Sequence, residues 1–206
     1  MALTPRDGEL AVRLEREGGS RWTIPWQAPR GDERLDDVAQ RVARESSGSA
    51  PSWFAQIGAF ADGRHPSELD LSVGYVALIP LGAVDESPAD GAEWRPVSEV
   101  AGLGERQTEI LQGALATVRD RIDLQPIAFR LLPAAFTLSE LQQMYELLLG
   151  RRLHKASFRR ALQAAYLVEP TDEWRSEGRG RPAQLYRYAP KRRRRSRRGV
   201  RFDLLG

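Results

Sequence analysis

The spacing of apolar and polar positions changes period along the chain, and the changes separate a strand-rich first part from a helical second part. From Glu9 to Arg16, Leu10, Val12 and Leu14 alternate with Ala11 and Arg13, the two-residue period of a strand. Trp22, Ile24 and Trp26 repeat the alternation and predict a second strand. Leu35, Val38, Ala39 and Val42 then stand at i, i+3, i+4 and i+7, which predicts a helix from Leu35 to Glu45 with Gly48 as its stop. Ser52 to Phe60, apolar and aromatic, reads as a strand. Leu71 to Pro80 is almost continuously apolar and predicts a strand buried on both faces. The polar stretches Asp62 to Pro66 and Asp85 to Ala92 read as loops. Gly104 to Ile122 returns to helical spacing, with Ile110, Leu111, Ala114, Leu115 and Val118 on one face.

From Pro126 the period is helical. Pro126 to Leu132 is a short apolar helix that Pro133 stops. Thr137 and Glu140 form the two ends of a capping box, Thr137 as N-cap and Glu140 three residues on. The helix they open carries Leu138, Leu141, Met144, Tyr145, Leu147 and Leu148 and closes at Gly150. Lys155 to Ala165 is the next helix, with Phe158, Leu162 and Ala165 inward. Leu167-Val168 and Leu185 to Tyr188 read as two short strands, joined by a loop from Thr171 to Ala183 that holds Gly178-Arg179-Gly180-Arg181-Pro182. Lys191 to Arg198 is a basic run.

Charge sharpens this division. Residues 125–206 hold 18 Lys and Arg against 7 Asp and Glu, whereas residues 1–124 hold 13 against 21, so a basic part at +11 follows an acidic one at −8. A basic module attracts polyanions, nucleic acid above all. Cysteine is absent, which excludes disulfides, thiolate zinc sites and cysteine nucleophiles. His65 and His154 lie far apart in sequence and argue against a metal site; no metal and no cofactor is expected. The chain has no apolar run of membrane-spanning length and its start lacks the pattern of a signal peptide, so a cytoplasmic protein is expected.

Helix, turn, helix and a hairpin with a basic, glycine-rich tip is the element order of a winged helix, whose second helix enters the major groove of double-stranded DNA while the first braces it. On that reading Lys155, Ser157, Arg159 and Arg160 face the DNA from the second helix. Arg179 and Arg181 reach the backbone or the minor groove from the wing, and the tail from Lys191 adds non-specific, salt-sensitive affinity. Three basic residues on a helix are, taken alone, more often a solvated face. Their clustering in one strongly basic module carries the argument.

The string FTLSELQQMYELLLGRRLHKASFRRALQAAYLVEPT, the preceding PIAFRLLP and the following GRGRPAQLYRY resemble the C-terminal domain of the NrtR family, the Nudix-related transcriptional regulators of NAD metabolism. The resemblance covers about residues 125–188. It implies an N-terminal Nudix-like domain, and a degenerate form of the Nudix box, G-x5-E-x7-R-E-U-x-E-E-x-G-U with U apolar, can be set on the chain. Arg41 then takes the box arginine, Glu33 the early glutamate, Glu45 one later glutamate and Gly48 the closing glycine. Gln27 replaces the first glycine, and Val42 and Ser46 replace two glutamates that bind metal in the family. The surrounding order, a strand, Trp22-x-Ile24-Pro25, a loop, a helix and a strand ending in QIGAF, is similar to Nudix folds.

The expected fold is thus α+β: a Nudix-like α/β/α sandwich over residues 1–124, a winged helix over 125–190 and a basic tail over 191–206. The resemblance implies a regulator, a repressor of NAD-metabolism genes, that binds DNA as a homodimer and senses ADP-ribose or another NAD-derived nucleotide. Trp26, Arg41 and Glu45 are the candidate effector-binding residues. With two metal carboxylates missing, no hydrolysis is expected. The competing readings are a Nudix pyrophosphohydrolase with an accessory DNA-binding domain and a nucleic-acid-binding scaffold that senses nothing. The Gly104–Ile122 helix is read equally as a dimer or coupling element and as ordinary core.

Overall fold

The alternation at the start of the chain builds a mixed sheet. The computed structural model describes residues 1–18, 21–61, 71–84, 91–176 and 182–189. By its internal contacts the chain divides into two units, Met1–Thr117 and Val118–Gly206. The first holds strands β1 (Ala2–Arg6), β2 (Glu9–Glu17) and β3 (Arg21–Thr23), helix α1 (Leu35–Ser47), strands β4 (Trp53–Ala61), β5 (Leu71–Leu78) and β6 (Ala92–Pro96), a 3-10 turn at Val97–Glu99 and most of helix α2 (Glu105–Ile122). The strands form a six-stranded sheet in the order β3-β2-β1-β5-β4, with β6 paired on β2. Among the described residues β1 and β5 alone run parallel, and the other pairs of this sheet are antiparallel.

Successive strand residues point to opposite faces, so neighbouring side chains on β5 show which helix covers which face. Tyr75 donates its hydroxyl to Asp36 of α1 at 2.7 Å and stacks on Phe54 at 5.1 Å. Gly74, one residue earlier, lies under Ile110 of α2 and the Phe60 ring. The two helices therefore sandwich the sheet, as the Nudix-like α/β/α expectation requires. The core is the central strands, with Leu3, Val12, Leu14, Val76, Leu78 and Ile79 fully buried.

The second unit contains α3 (Ile127–Leu131), α4 (Leu138–Leu149), α5 (Lys155–Ala165) and the hairpin β7 (Val168–Arg175) and β8 (Ala183–Tyr188). Phe136 adds a bridge to Tyr186, with backbone hydrogen bonds of 3.0 and 2.7 Å, so the hairpin is sewn to the segment entering α4. Phe129 sits among Phe136, Tyr145 and Tyr188 at ring distances of 5.8, 6.2 and 4.5 Å, and Tyr145 meets Phe158 edge-on at 5.5 Å. These rings join α3, α4, α5 and the hairpin into one core. The capping box is present in full: Glu140 N–H donates to Thr137 Oγ1 at 3.1 Å and Thr137 N–H to Glu140 Oε2 at 2.6 Å.

Several expectations change. The Trp22-Ile24-Trp26 alternation makes a strand only to Thr23. Pro25 has no N–H to give to a ladder, and the N–H of Ile24 donates instead to Gln107 of α2 at 3.0 Å. Trp26 is 68% exposed and Leu35, expected on the inner stripe of α1, is 46% exposed; Val38, Ala43, Ser46 and Ser47 fill that stripe. β5 is buried on both faces only from Gly74 onward. β1 and β6 were not expected. Thr171 to Arg175 is strand rather than loop, with an irregularity in pairing between Pro170 and Trp174. Asp62 to Pro66, most of Asp85 to Ala92, the wing tip with Arg179 and Arg181, and the basic tail lie outside the described residues. Among the described residues no helix is long and apolar enough to cross a membrane.

α2 approaches the sheet through Gly113. A Cβ there would lie 2.9 Å from Ile57 Cγ2 and 3.5 Å from the Phe60 ring. Replacing a mid-helix glycine by alanine gains roughly 0.5–1 kcal/mol from backbone entropy, but overpacking a tight contact costs about 1–3 kcal/mol. The contact wins: Gly113→Ala is expected to destabilise the protein by about 1–2 kcal/mol, measured by urea denaturation, whereas a gain in stability would mean that the helix–sheet contact is loose.

Candidate nucleic-acid and ligand sites

The orientation of α5 is set in the turn before it. Gly150 closes α4 in the left-handed conformation at φ 69°, and its N–H returns to Glu146 O. Glu146 then reaches past the turn and accepts the N–H of Leu153 at 2.8 Å. Gln142, one turn earlier on α4, donates to Glu146 at 2.9 Å and to the carbonyl of Leu153 at 3.0 Å. Both backbone groups of Leu153 are thus held by α4. Arg152 pairs with the other Glu146 oxygen at 3.1 Å. Burial pushes the Glu146 carboxyl up, but the hydrogen bonds from Gln142, the Leu153 N–H and Arg152 outweigh it, and the net shift is downward.

Phe158 and Leu162 anchor α5 in the core. Lys155, Arg159 and Arg160 are exposed and form no ion pair among the described residues. Residues on a helix are separated by about 100°, so Arg159 and Arg160 present their charges in different directions. Ser157 is half-buried and lies 3.2 Å from Nδ1 of His154, the exposed N-cap residue. Two further cations went unremarked in the sequence, Arg151 and Arg152, both exposed in the turn preceding α5. Their placement before a second helix was the available signal. Arg175 of β7 pairs with Glu140 at 2.6 Å and donates to the carbonyl of Ala135, so the strand leading to the wing tip is fixed to the start of α4.

In the first unit the box residues converge. Arg41 makes a two-pronged contact with Glu33, Nε to Oε1 at 2.9 Å and Nη2 to Oε2 at 2.7 Å. Its third nitrogen donates to Gln27 and lies 3.9 Å from Glu45, and Gln27 donates to Glu45 at 2.8 Å. The fork from Arg41 holds the Glu33 carboxyl down to about 2. Glu45 is thus committed to Arg41 and Gln27. Val42 is half-buried, and the buried Ser46 donates its hydroxyl to the carbonyl of Ala43 at 3.3 Å, so neither turns an oxygen ligand outward.

Of the three candidate effector residues, Arg41 and Glu45 belong to this cluster and Trp26 lies elsewhere. Trp26 lines a cavity of about 800 Å³ on the α2 side of the sheet, together with Arg21, Arg106 and Gln107 and the carboxylates of Glu17, Glu105 and Glu109. Arg21 is paired with Glu17, and Arg106 donates to Ser72 at 3.1 Å.

Residues 128–188 match the model of the NrtR DNA-binding winged helix domain. The chain is 30% identical over 193 residues to the ADPR responsive transcriptional repressor NtrR of Acinetobacter baylyi, covering 88% of this chain and 77% of that protein. The crystal structure of Shewanella oneidensis NrtR complexed with a 27mer DNA is similar at a TM-score of 0.75 and 26% identity, over 92% of this chain and 91% of that one. A MutT/nudix family protein from Enterococcus faecalis, at a TM-score of 0.67 and 19% identity over 91% of this chain and 85% of its own, shares the fold.

Glu33 titrates below its unfolded value of about 4.3, so its pairing stabilises the fold fully above that pH and fades as pH falls toward 2. Carboxyl NMR should give a Glu33 midpoint near 2, and Arg41→Gln should return it upward; an ordinary midpoint in the unmodified protein would refute the fork. Glu146→Ala should cost about 1–3 kcal/mol by urea denaturation. The loss should exceed that from Glu169→Ala, whose partner Arg187 is exposed; equal losses would show that the Leu153 clamp is idle.

Proposed function

This chain belongs to the NrtR family, and on that premise we propose that it is a transcriptional repressor of the NrtR type, binding double-stranded DNA through its winged helix and responding to ADP-ribose. The observation that carries the reading is the agreement between the winged-helix match over 128–188 and the exposed cations of α5, which sit on the helix that the fold sends into the major groove. It is a repressor, not a hydrolase.

Residues 125–190 bind the operator and residues 1–124 sense the nucleotide; the tail of 191–206 contributes salt-dependent affinity of the counterion-release kind. Arg159 and Arg160 read base edges or phosphates on different sides of the groove, with Lys155 and Ser157 holding the backbone and Arg179 and Arg181 reaching from the wing. A homodimer matches its two-fold axis to a pseudo-palindromic site, as winged-helix repressors do. Genes of NAD metabolism are the proposed targets.

The first unit has kept the Nudix frame without its metal chemistry. Magnesium in a Nudix site needs several carboxylates, and here Val42 and Ser46 occupy two of those positions while Glu45 is held by Gln27 and Arg41. Effector control requires that ADP-ribose bind the DNA-incompetent state more tightly than the competent one.

Fluorescence anisotropy with operator DNA selected from a random pool tests this reading. ADP-ribose is expected to weaken operator binding saturably, and Arg159→Ala or Arg160→Ala to cost about 1–3 kcal/mol each. Incubation of ADP-ribose with magnesium and the protein should yield no AMP. Turnover at an ordinary enzymatic rate of roughly 1 per second or more, or operator affinity indifferent to both arginines, would overturn the assignment.

A further inference from the structure

We propose that Ala156, Arg160 and Gln163 form the base-reading line of α5, while Lys155 and Arg159 grip the phosphates of one flanking strand. This division of labour rests on the DNA-binding role given above, and it adds Ala156 and Gln163 to the residues that set sequence preference.

The anchors of the helix fix its outward direction. Phe158 and Leu162 are fully buried, so the core lies on their side. Successive helix residues turn by about 100°, which places Arg160, two residues from each anchor, about 160° from both. Arg160 therefore points away from the core. Ala156 stands four residues before it and Gln163 three after it, the spacing of one line along a helix, and both are exposed. Arg159 is turned about 100° from Arg160, and Lys155 stands one turn before Arg159, so these two cations occupy one flank. The opposite flank carries Ser157, Ala161 and Ala164. Ser157 is half-buried beside His154, and the alanines bring no charge. The cations of α5 thus sort into one at the centre of the outward face and two at one side.

A helix enters the major groove by its outward line. With a rise of about 1.5 Å per residue, Ala156 to Gln163 spans about 10 Å, or about three base-pair steps of 3.4 Å. Arg160 and Gln163 make no side-chain hydrogen bond or ion pair among the described residues. Their donors and acceptors are therefore available to bases. A guanidinium fork matches O6 and N7 of guanine, a carboxamide matches N6 and N7 of adenine, and an alanine methyl packs on the methyl of thymine. Lys155 and Arg159, on the flank, meet the rim of the groove where phosphates lie. Contacts there fix the position of the helix and carry no sequence information.

Selection of DNA from a random pool, by the full chain and by variants whose melting temperature shows them folded, tests the division. Arg160→Ala is expected to relax the preference for one guanine of the half-site and Gln163→Ala that for one adenine. Each should weaken binding of the selected operator by about tenfold or more. Gln163→Ala should leave affinity for scrambled DNA unchanged. Arg159→Ala should weaken selected and scrambled DNA alike, lower the salt slope by about one and keep every base preference. A second measurement leaves the protein unaltered. Replacing the Arg160-dependent guanine by 7-deazaguanine, which lacks the N7 acceptor, should weaken binding by the unmodified chain and make no difference to Arg160→Ala. Base preference kept in full by either the Arg160 or the Gln163 variant, or relaxed at one position by Arg159→Ala, would overturn the division and leave the DNA-binding role intact. An unmodified chain that bound DNA without sequence preference, or not at all, would overturn the operator-binding role and the division with it.

Discussion

A helix that follows a tight turn is only as well aimed as that turn, and here the turn before α5 is held by one residue's backbone. Leu153 has its N–H on Glu146 and its carbonyl on Gln142, both from α4. The direction of α5 is therefore inherited from α4. α4 is in turn fixed at its start, where Glu140 closes the capping box with Thr137 and also pairs with Arg175 of the hairpin. Helix, turn, helix and wing are linked through two carboxylates on a single helix. Both do work that a surface glutamate could not: each accepts backbone or arginine donors while partly shielded from water, where a hydrogen bond to a charge is worth more than an exposed pair.

The two units meet different demands. The second is built around aromatic rings that lock four elements together, which suits a rigid reader. The first is a sheet with a helix on each face, in which α2 approaches closely enough to require glycine at 113. α2 itself runs across the division, with Glu105 to Thr117 in the first unit and Val118 to Ile122 in the second.

The helices were legible because their end signals are local. Thr137, Gly48 and Gly150 act on the chain within four residues of themselves, and each cap stands where the sequence put it. The strands were less so. β7, VEPTDEWR, carries three acids and a proline and has no clean alternation, and the hairpin register that makes it a strand depends on a partner eight or more residues away. β1 is five residues long and carries a proline; it pairs with β2 across the Asp7-Gly8 turn and, in parallel, with β5 some 75 positions distant. The alternation at Trp22, Ile24 and Trp26 misled because period alone does not register the missing N–H of Pro25.

The same distinction between local and assembled signals explains the weak Nudix box. Three of the matching positions act locally: Glu33 and Arg41 form the fork that ties the loop to α1, and Gly48, at φ 72°, ends the helix in a conformation that side chains resist. Among the positions that differ, Val42 is half-buried and Ser46 donates to a helix carbonyl. Such a box reads as faint in sequence because it is scored as one motif. Taken as two sets of constraints, the ion-pair and helix-end positions are in place, while positions 42 and 46 present no carboxylate.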